Sequence, residues 1–343
     1  MAPPVLQPLI VGLGRSGAGL HLKVLQRIPT GPPVACDPRP EAGRELRGVT
    51  VTRSLADAAR LLTPATTVVH VCTPPATRPA VIAELAERGF TRLLVDKPLA
   101  IDHAALDEIL RLRLRYDLDM EVVTQWLAAD LTRELRGLVR EKAFGPLGSI
   151  DVAQHKPRFL RTLVTEATDE GHPSALDVEI PHSLGVVLDL AGPARLLTAG
   201  WDEMRCGDVV RARMGGTRLT LAHASGVRTE IVSDLTSPIQ QRSFTLRFER
   251  ATATGHFPLS EHDDHAQLVT ETAQERHVRI FRDDSLTAFV RRAYRRFLTG
   301  RRADFTPHRE AARLLCAAKE RCRRSEDAKT ALANAKETTC HAP

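Results

Sequence analysis

The sequence lacks an apolar run approaching the roughly 18 residues that a membrane-spanning helix needs. Near its N-terminus it also lacks the basic stretch and long apolar core of a secretory signal. Its six cysteines are scattered and include no Cys-x-x-Cys pair, which favours reduced thiols such as Cys36 and Cys72 over disulfides or a zinc site. These absences predict a cytoplasmic protein with no membrane contact and no bound metal.

Further absences exclude other classes of function. No Gly-x-Ser-x-Gly segment and no cysteine–histidine arrangement indicates a hydrolase. The net charge is +6, but the densest basic run, between Arg291 and Arg302, alternates with Phe289, Tyr294 and Phe297 at helical spacing. That spacing predicts an amphipathic helix with a solvated arginine face, not a nucleic-acid site; a polyanion site or a subunit contact is the alternative. The segment 261–265 contains Glu, His and Asp, yet it is predicted as a polar loop without a metal.

What is present is a stretch, Leu9–Leu20, around which the first half of the chain is organised. Three apolar residues typical of a buried strand precede Gly12, Gly14 and Gly17, and an apolar helical pattern follows them. Gly12 permits a tight turn, Gly14 lets backbone N–H groups approach a pyrophosphate, and Gly17 lets the helix pack close to the strand. In this strand–loop–helix context the three glycines predict a dinucleotide site.

The second strand of that region ends at Asp37. Its carboxylate can accept hydrogen bonds from both ribose hydroxyls of NAD and would repel a 2′-phosphate. Arg39, two residues later, could instead attract that phosphate. We predict NAD as the cofactor, with NADP as the less favoured alternative.

The chain length of 343 residues fits two domains. Up to about residue 124, short apolar strands alternate with helices, which predicts a doubly wound parallel sheet of the α/β class. From about residue 145, strands with short connections predict a mostly antiparallel sheet. We therefore predict a dinucleotide-binding domain over 1–124, a substrate and oligomerisation domain over 125–324, and a flexible tail over 325–343. The predicted elements of the second part are strands over 149–155, 195–201, 208–214, 218–223, 228–232 and 243–250 and helices over 177–190 and 285–323.

Ligands bind at the carboxyl ends of the strands of such parallel sheets. Those ends carry the glycine loop, Asp37, Thr73, Lys97 and Gln125. The predicted cofactor-binding residues are Gly12, Leu13, Gly14, Arg15, Ser16, Gly17, Asp37, Arg39, Cys72, Thr73, Pro74, Asp96, Lys97 and Gln125. Trp126, next to Gln125, is as consistent with packing as with a cofactor contact.

Four features together resemble the Gfo/Idh/MocA oxidoreductases. They are the glycine fingerprint, Thr73-Pro74-Pro75 after the fourth strand, Asp96-Lys97-Pro98 after the fifth, and a helix bearing His182. Asp96 stands where the family has glutamate, so the carboxylate is one methylene shorter. The resemblance covers nearly the whole chain and implies a Rossmann domain, an open α/β domain that forms the substrate cleft, a homodimer or homotetramer, and often a cis bond between Lys97 and Pro98.

The second family signature departs further from the pattern. The family usually has Asp-x-x-x-His on the helix entering the cleft, whereas this chain offers Asp177 five residues and Glu179 three residues before His182. At helical spacing Glu179 and His182 share a face. Pro181 favours a helix that begins near His182, in which case Glu179 precedes it. Both acidic residues remain candidates for the partner of His182, with N-terminal capping as the alternative role.

The candidate catalytic residues are Lys97, His182, Glu179 and Asp177. Hydride transfer from an alcohol requires removal of the hydroxyl proton, and the reverse reaction requires a polarised carbonyl. We assign Lys97 to the substrate oxygen and His182 to acid–base catalysis, although the two roles could be exchanged. Lys156, Arg158 and Arg161 are consistent with substrate binding or with an exposed loop.

The resemblance implies an NAD(H)-dependent oxidoreductase acting on a secondary alcohol or ketone of a sugar, cyclitol or amino sugar. If the substrate is a cationic aminoglycoside, Asp169, Glu170, Asp177 and Glu179 would form an acidic rim. The alternatives are an imine reductase and a dinucleotide-binding regulator without catalysis. Retention of Lys97 and His182 favours an enzyme.

Overall fold

The structure is a computed structural model that describes residues 5–164, 174–260 and 263–339. Its first domain is a six-stranded sheet in the order β3-β2-β1-β4-β5-β6, in which every pair of neighbours is parallel. The strands are β1 (Gln7–Val11), β2 (Val34–Cys36), β3 (Thr50–Thr52), β4 (Thr67–Val71), β5 (Arg92–Val95) and β6 (Asp119–Val122). The helices between them are α1 (Leu22–Leu25), α2 (Leu55–Arg60), α3 (Arg78–Glu87) and α4 (His103–Arg115).

The central strands of this parallel sheet are buried on both faces: β4 is buried at every residue and β1 at all but its first. Strands covered on both faces read as continuous apolar runs. Strands β2 and β3 are added on one side of β1 and strands β4 to β6 on the other, and ligands bind in the crevice at this switch point in such sheets. The predicted α/β class and the predicted parallel sheet are confirmed.

The second domain is built on an eight-stranded sheet in the order β16-β15-β14-β13-β7-β12-β11-β8. Among the described strand pairs of this sheet only β7 and β12 are parallel, so the sheet is mostly antiparallel as expected. Its elements are α5 (Asp130–Glu141), β7 (Leu147–His155), α6 (Ile180–Ala191), β8 (Ala194–Trp201), β9 (Met204–Cys206), β10 (Val209–Arg211), β11 (Gly216–His223), β12 (Arg228–Asp234), β13 (Gln241–Phe248), β14 (Thr252–His256), β15 (His265–Glu271) and β16 (Arg276–Arg282).

Three details of this domain differ from the prediction. The segment 208–214 is not one strand; β9 and β10 pair separately as a two-stranded hairpin that turns at Gly207, where φ is +56°. Strands β14, β15 and β16 were not predicted, although they extend the sheet by three strands on one side. The helix predicted over 177–190 begins at Ile180, after a 3₁₀ turn over Ala175–Asp177.

The C-terminal segment forms two helices, α7 (Ser285–Leu298) and α8 (Thr306–Thr339), where one helix over 285–323 is predicted. The break includes Gly300, whose φ of +67° is incompatible with a continuing helix. Helix α8 continues to Thr339, and the Glu326 carboxylate accepts a hydrogen bond from Trp201. The predicted flexible tail over 325–343 therefore begins within helix α8.

Helix α7 packs on the first domain, although the predicted division at residue 124 assigns it to the second. Its apolar face, including Phe289 and Phe297, shares one cluster of buried residues with Ile10 of β1. The Tyr294 hydroxyl lies 2.9 Å from Nε2 of the buried His70 on β4. On its arginine face Arg291, Arg292 and Arg295 are exposed as predicted, whereas Arg296 pairs with Asp119 and Glu121 and is only 12% exposed.

None of the described helices is both long enough and apolar enough to cross a membrane.

Candidate active site

The glycine loop joins β1 to a helical turn that leads into α1. Gly12 has φ of +96°, and a Cβ placed there would lie 2.9 Å from the Cys72 carbonyl oxygen. A Cβ on Gly17 would lie 1.9 Å from the Gly12 carbonyl oxygen, so only glycine lets the helix start this close to the strand. In contrast, a Cβ on Gly14 would meet no atom within 4 Å. Gly14 therefore borders open space of the kind that a bound ligand would fill.

The first helical hydrogen bond of this region runs from the Ala18 N–H to the Gly14 carbonyl, 3.0 Å apart. The amides of the loop residues before Ala18, including Arg15 and Ser16, therefore precede the helical ladder and are placed to bind an anion. Nearby, the buried hydroxyl of Thr73 has no hydrogen-bond partner among the described residues. The loop and Thr73 thus fit a dinucleotide pyrophosphate, whose phosphate oxygens would accept hydrogen bonds from the amides.

Asp37 lies at the end of β2 with its side chain almost completely buried. Its Oδ2 accepts the Leu13 N–H at 2.7 Å and a guanidinium N–H of Arg39 at 2.8 Å, while Oδ1 accepts the Arg39 N–H and Nε–H. Burial alone would raise the pKa of Asp37, but these hydrogen bonds and the charge of Arg39 lower it below its usual value. The Asp37 carboxylate is therefore ionised but occupied by Arg39, which the sequence did not indicate.

The ionised Asp37 carboxylate repels a 2′-phosphate and so favours NADH, whereas the Arg39 guanidinium beside it would attract that phosphate. We expect Arg39→Ala to weaken NADPH binding by about tenfold or more while leaving NADH binding unchanged or tighter. Fluorescence titration with both dinucleotides measures the two affinities. Arg44→Ala, an exposed arginine of the same loop, is the control and should change neither. Equal weakening of both dinucleotides by Arg39→Ala would contradict the assignment.

Lys97 lies two residues after β5, and its side chain reaches across to the second domain, where Nζ donates a hydrogen bond to the Val178 carbonyl. Burial lowers the pKa of Lys97, although the nearby carboxylates of Glu179 and Asp96 oppose that shift. Asp96 accepts the Lys97 backbone N–H at 2.9 Å. The bond between Lys97 and Pro98 is cis, in agreement with the family resemblance. Lys97 is therefore a partly buried amine held between the two domains.

His182 lies in the first turn of α6 and is buried against Trp126, with 5.1 Å between the ring centroids. Burial, together with the charge of Lys97, lowers the pKa of His182 to about 3. Its Nδ1 is buried and has no hydrogen-bond partner among the described residues. His182 is thus a neutral imidazole with one nitrogen available to a ligand.

Glu179 immediately precedes α6, and its carboxylate lies near Lys97 and His182. Its Oε1 lies 3.1 Å from Lys156 Nζ, and its Oε2 lies 3.9 Å from Arg242 Nε. Burial alone would raise the pKa of Glu179, but the charges of Lys156, Arg242 and Lys97 lower it to about 2. Glu179 therefore remains ionised, and its charge is already balanced by cations of the same domain.

Asp177, the other predicted candidate, is directed elsewhere. Its Oδ1 accepts a hydrogen bond from Lys319 Nζ of α8 at 2.8 Å, and its Oδ2 accepts the Ser174 hydroxyl at 2.7 Å. The side chains of Asp177 and Lys319 are each only 1% exposed. The pattern misled because the turn before Ile180 is not α-helical, so the five-residue spacing to His182 does not place both side chains on one helix face. In the structure Asp177 is a partner of Lys319.

Removing one partner of this buried pair should cost much more than removing an exposed one. We expect Lys319→Met to lower the free energy of unfolding by about 3–5 kcal/mol, because it leaves the Asp177 carboxylate buried without a counter-charge. The double variant Lys319→Met/Asp177→Leu should recover much of that loss. Urea unfolding monitored by circular dichroism gives the three values. Arg247→Gln, which removes an exposed partner of Asp151, should leave stability almost unchanged.

Residues 6–118 match the family model GFO_IDH_MocA, described as an oxidoreductase family with an NAD-binding Rossmann fold. The N-terminal domain belongs to the Gfo/Idh/MocA oxidoreductases. The matched region runs from β1 to the residue before β6 and contains both the glycine loop and Lys97. The family expected from the motifs is therefore confirmed. Comparison with curated protein sequences gave no match.

Solved structures are similar to this chain in fold over nearly its whole length. One is KijD10, a 3-ketoreductase from Actinomadura kijaniata, in complex with NADP and TDP-benzene; the TM-score is 0.76 at 14% identity, with 93% of this chain and 98% of that chain covered. Another is an oxidoreductase from Agrobacterium radiobacter in complex with NAD+, L-tartaric acid and magnesium; the TM-score is 0.72 at 13% identity, with 92% and 95% covered. At these identities the likeness shows the fold of both domains.

The structure brings Lys97, Glu179 and His182 together but gives other predicted positions different surroundings. Trp126 is buried and stacks on Phe257 at 4.5 Å, which supports the packing alternative. Arg242 was not singled out, although it lies beside Glu179; its position on an alternating strand gave no sign of this contact.

Some sequence-based candidates lie wholly or partly outside the described residues. These are Asp169 and Glu170 of the expected acidic rim, and Glu261 and His262 of the polar loop. The rest of that loop is engaged with its surroundings, since Asp264 pairs with Arg282. No group of three or more potential ligands that could hold a metal ion occurs in the part of the chain that the structure describes.

Proposed function

We propose that the chain is an NAD(P)H-dependent oxidoreductase that acts on a secondary alcohol or ketone of a sugar, cyclitol or amino sugar, with NAD as the preferred dinucleotide. The observation that carries the proposal is the position of Lys97, which follows a strand of the Rossmann sheet and reaches the segment that precedes His182. A proton-transfer group between the cofactor domain and the second domain is what hydride transfer to or from a C–O bond requires. The sugar-like substrate class draws on the family and on the 3-ketoreductase neighbour.

In this proposal Lys97 handles the proton. For oxidation the neutral amine accepts the hydroxyl proton of the substrate, and for reduction the ammonium donates a proton to the carbonyl oxygen. A bound nicotinamide supplies or accepts the hydride. His182 is neutral because its pKa is about 3, so it orients the substrate oxygen through a hydrogen bond instead of exchanging a proton at neutral pH. The low pKa of His182 thus supports assigning the proton transfer to Lys97.

Glu179 supports Lys97 electrostatically. Its ionised carboxylate raises the pKa of Lys97 against the lowering effect of burial. A group that serves both directions of the reaction must accept and release a proton, and burial and Glu179 act on the pKa of Lys97 in opposite directions. We also propose a cytoplasmic location and a homo-oligomer; free thiols such as Cys36, Cys316 and Cys322 support the first.

The proposal is tested by titrating the full chain with NADH and NADPH and then following NADH absorbance with a panel of sugars, inositols and aminoglycosides. We expect tighter binding of NADH and turnover of at least one member of the panel. Turnover only with cyclic imines would identify the imine reductase alternative. Binding of NADH without any turnover would favour a dinucleotide-regulated protein, and failure to bind either dinucleotide would overturn the proposal.

A further inference from the structure

The face of the eight-stranded sheet that lies under helix α6 changes character along its length. Over most of that face the neighbouring strands β7 and β13 present buried apolar side chains, among them Val152 and Phe244. One step further along the same face the pair is Gln154 and Arg242. Lys156 comes two residues after Gln154, and alternation places it on the same side. The covered face thus ends in polar and cationic groups beside the candidate active site.

Several polar atoms at this end are buried and unpaired among the described residues. Gln154 is completely buried, and neither its Oε1 nor its Nε2 makes a hydrogen bond within the described part of the chain. Ser233 of β12 is the neighbour of Gln154 on the other side, and its buried hydroxyl is likewise unpaired there. Leaving a buried polar atom unpaired costs about 1–3 kcal/mol, so such groups usually have a partner. A row of Ser233, Gln154 and Arg242 with open hydrogen-bonding capacity indicates a ligand as that partner.

Among the described residues, two cations at this end share one carboxylate. Lys156 and Arg242 both face one carboxylate, that of Glu179. Arg242 is fixed in place because its Nη1 donates to the carbonyl oxygens of Pro258 at 2.8 Å and Leu259 at 3.2 Å. Its buried Nε, in contrast, has no hydrogen-bond partner among the described residues. The guanidinium is therefore held rigidly with one donor unused, and Lys156 beside it is 26% exposed and accessible to a ligand.

We propose that Lys156, Arg242 and Gln154 form a subsite for a negatively charged group of the substrate, a carboxylate or a phosphate. This inference rests on the proposed oxidoreductase function and specifies its substrate class. Arginine and lysine donate charge-assisted hydrogen bonds to both kinds of anion, and the Gln154 amide adds a neutral donor. Glu179 connects the subsite to the reaction centre. Its carboxylate accepts a hydrogen bond from Lys156, and it directly follows Val178, whose carbonyl accepts a hydrogen bond from Lys97.

The subsite reverses the expectation of a cationic substrate. That expectation relied on an acidic rim including Asp177 and Glu179. In the structure Asp177 is paired with Lys319, and Glu179 is balanced by Lys156 and Arg242. A substrate amine would meet two cations here, whereas an anionic oxygen would meet unused donors.

The test uses four hexoses that share a ring and differ in charge: glucose, glucosamine, glucuronate and glucose 6-phosphate. Each is titrated calorimetrically into the full chain saturated with NADH. We expect glucuronate or glucose 6-phosphate to bind about tenfold or more tightly than glucose and glucosamine. Which of the two binds better identifies the anion as carboxylate or phosphate. Equal binding of all four, tighter binding of glucosamine, or no binding of either anionic sugar would overturn the proposal.

Three variants locate the effect. Lys156→Gln and Arg242→Gln should each weaken binding of the anionic sugar by about tenfold. Gln154→Leu should weaken the same binding without lowering the melting temperature, because it removes polar atoms that are unpaired in the free protein. If the role of Gln154 were purely structural, Gln154→Leu would instead lower the melting temperature. Arg247→Gln, on the same strand as Arg242 but exposed, is the matched control and should change nothing.

The outcome is separable from that of the proposed function. Turnover of a neutral sugar that is lost in Lys97→Met and unaffected by Lys156→Gln would overturn the anionic subsite and keep the oxidoreductase. Conversely, inorganic phosphate titrated into the chain without NADH reports on the subsite even if no dinucleotide binds. Phosphate binding that disappears in Arg242→Gln would then support the subsite alone.

Discussion

Replacing Lys97 with methionine should lower the turnover number by about 10²–10⁴-fold, while NADH still binds, because the variant removes the proton-transfer group and keeps the side-chain volume. The amine is held between the domains by the Val178 carbonyl and is the described group that best combines a strand-end position with a titratable proton. Stopped-flow measurement of hydride transfer at saturating substrate separates this loss from any change in binding. Lys142→Met, an exposed lysine after α5, should leave the rate unchanged.

The pH profile provides the decisive check on this role. In alcohol oxidation the base must be unprotonated, so the turnover number should rise with pH up to the pKa of Lys97, which burial places below its ordinary value. His182 is already neutral above about pH 3 and should add no second limb near neutrality. A His182→Gln variant should therefore turn over more slowly but keep the same rise of the turnover number with pH. Lys97→Met should lose that rise. If the rise with pH disappears only in His182→Gln, then His182 is the proton-transfer group and the two roles are exchanged.

The parts of the site that the sequence predicts are those encoded within a few consecutive residues. The glycine loop, Asp37 and Lys97 each lie within two residues of the end of an apolar strand, and parallel strands bring their carboxyl ends to one edge of a sheet. The same reasoning predicts the order of strands and helices in the first domain. It does not predict that Arg39 folds back on Asp37, because that depends on the side-chain conformation two residues beyond the strand.

The parts that the sequence does not predict depend on distant contacts. Asp177 and Glu179 are two residues apart and equally plausible in sequence, yet one meets Lys319 of the last helix and the other meets Lys156 and Arg242. Arg242 lies at the start of strand β13, where the alternation of inward and outward side chains does not show whether the inward residue is polar or apolar. Helix α7 likewise has an apolar face that fits either domain, and its docking on the Rossmann sheet through Tyr294 appears only in three dimensions.

The glycine loop offers a pair of substitutions that separate folding from cofactor binding. Gly17→Ala places a methyl group 1.9 Å from the Gly12 carbonyl oxygen, which is backbone and cannot rotate away. The helix must shift, and we expect the free energy of unfolding to fall by about 1–3 kcal/mol, as for other overpacked sites. The same shift displaces the loop amides, so the dissociation constant of NADH should rise by about tenfold or more.

Gly14→Ala should behave differently, because its new methyl group meets no protein atom within 4 Å and φ there is not positive. Stability should be unchanged or slightly higher, since alanine restricts the unfolded chain more than glycine does. NADH binding should nevertheless weaken by about tenfold, because the methyl group enters the space where the backbone approaches the pyrophosphate. Urea unfolding and NADH titration of both variants give four values. Unchanged NADH affinity in Gly14→Ala would mean that no dinucleotide lies against this loop, and the proposed cofactor site would fail even if Gly17→Ala were unstable as expected.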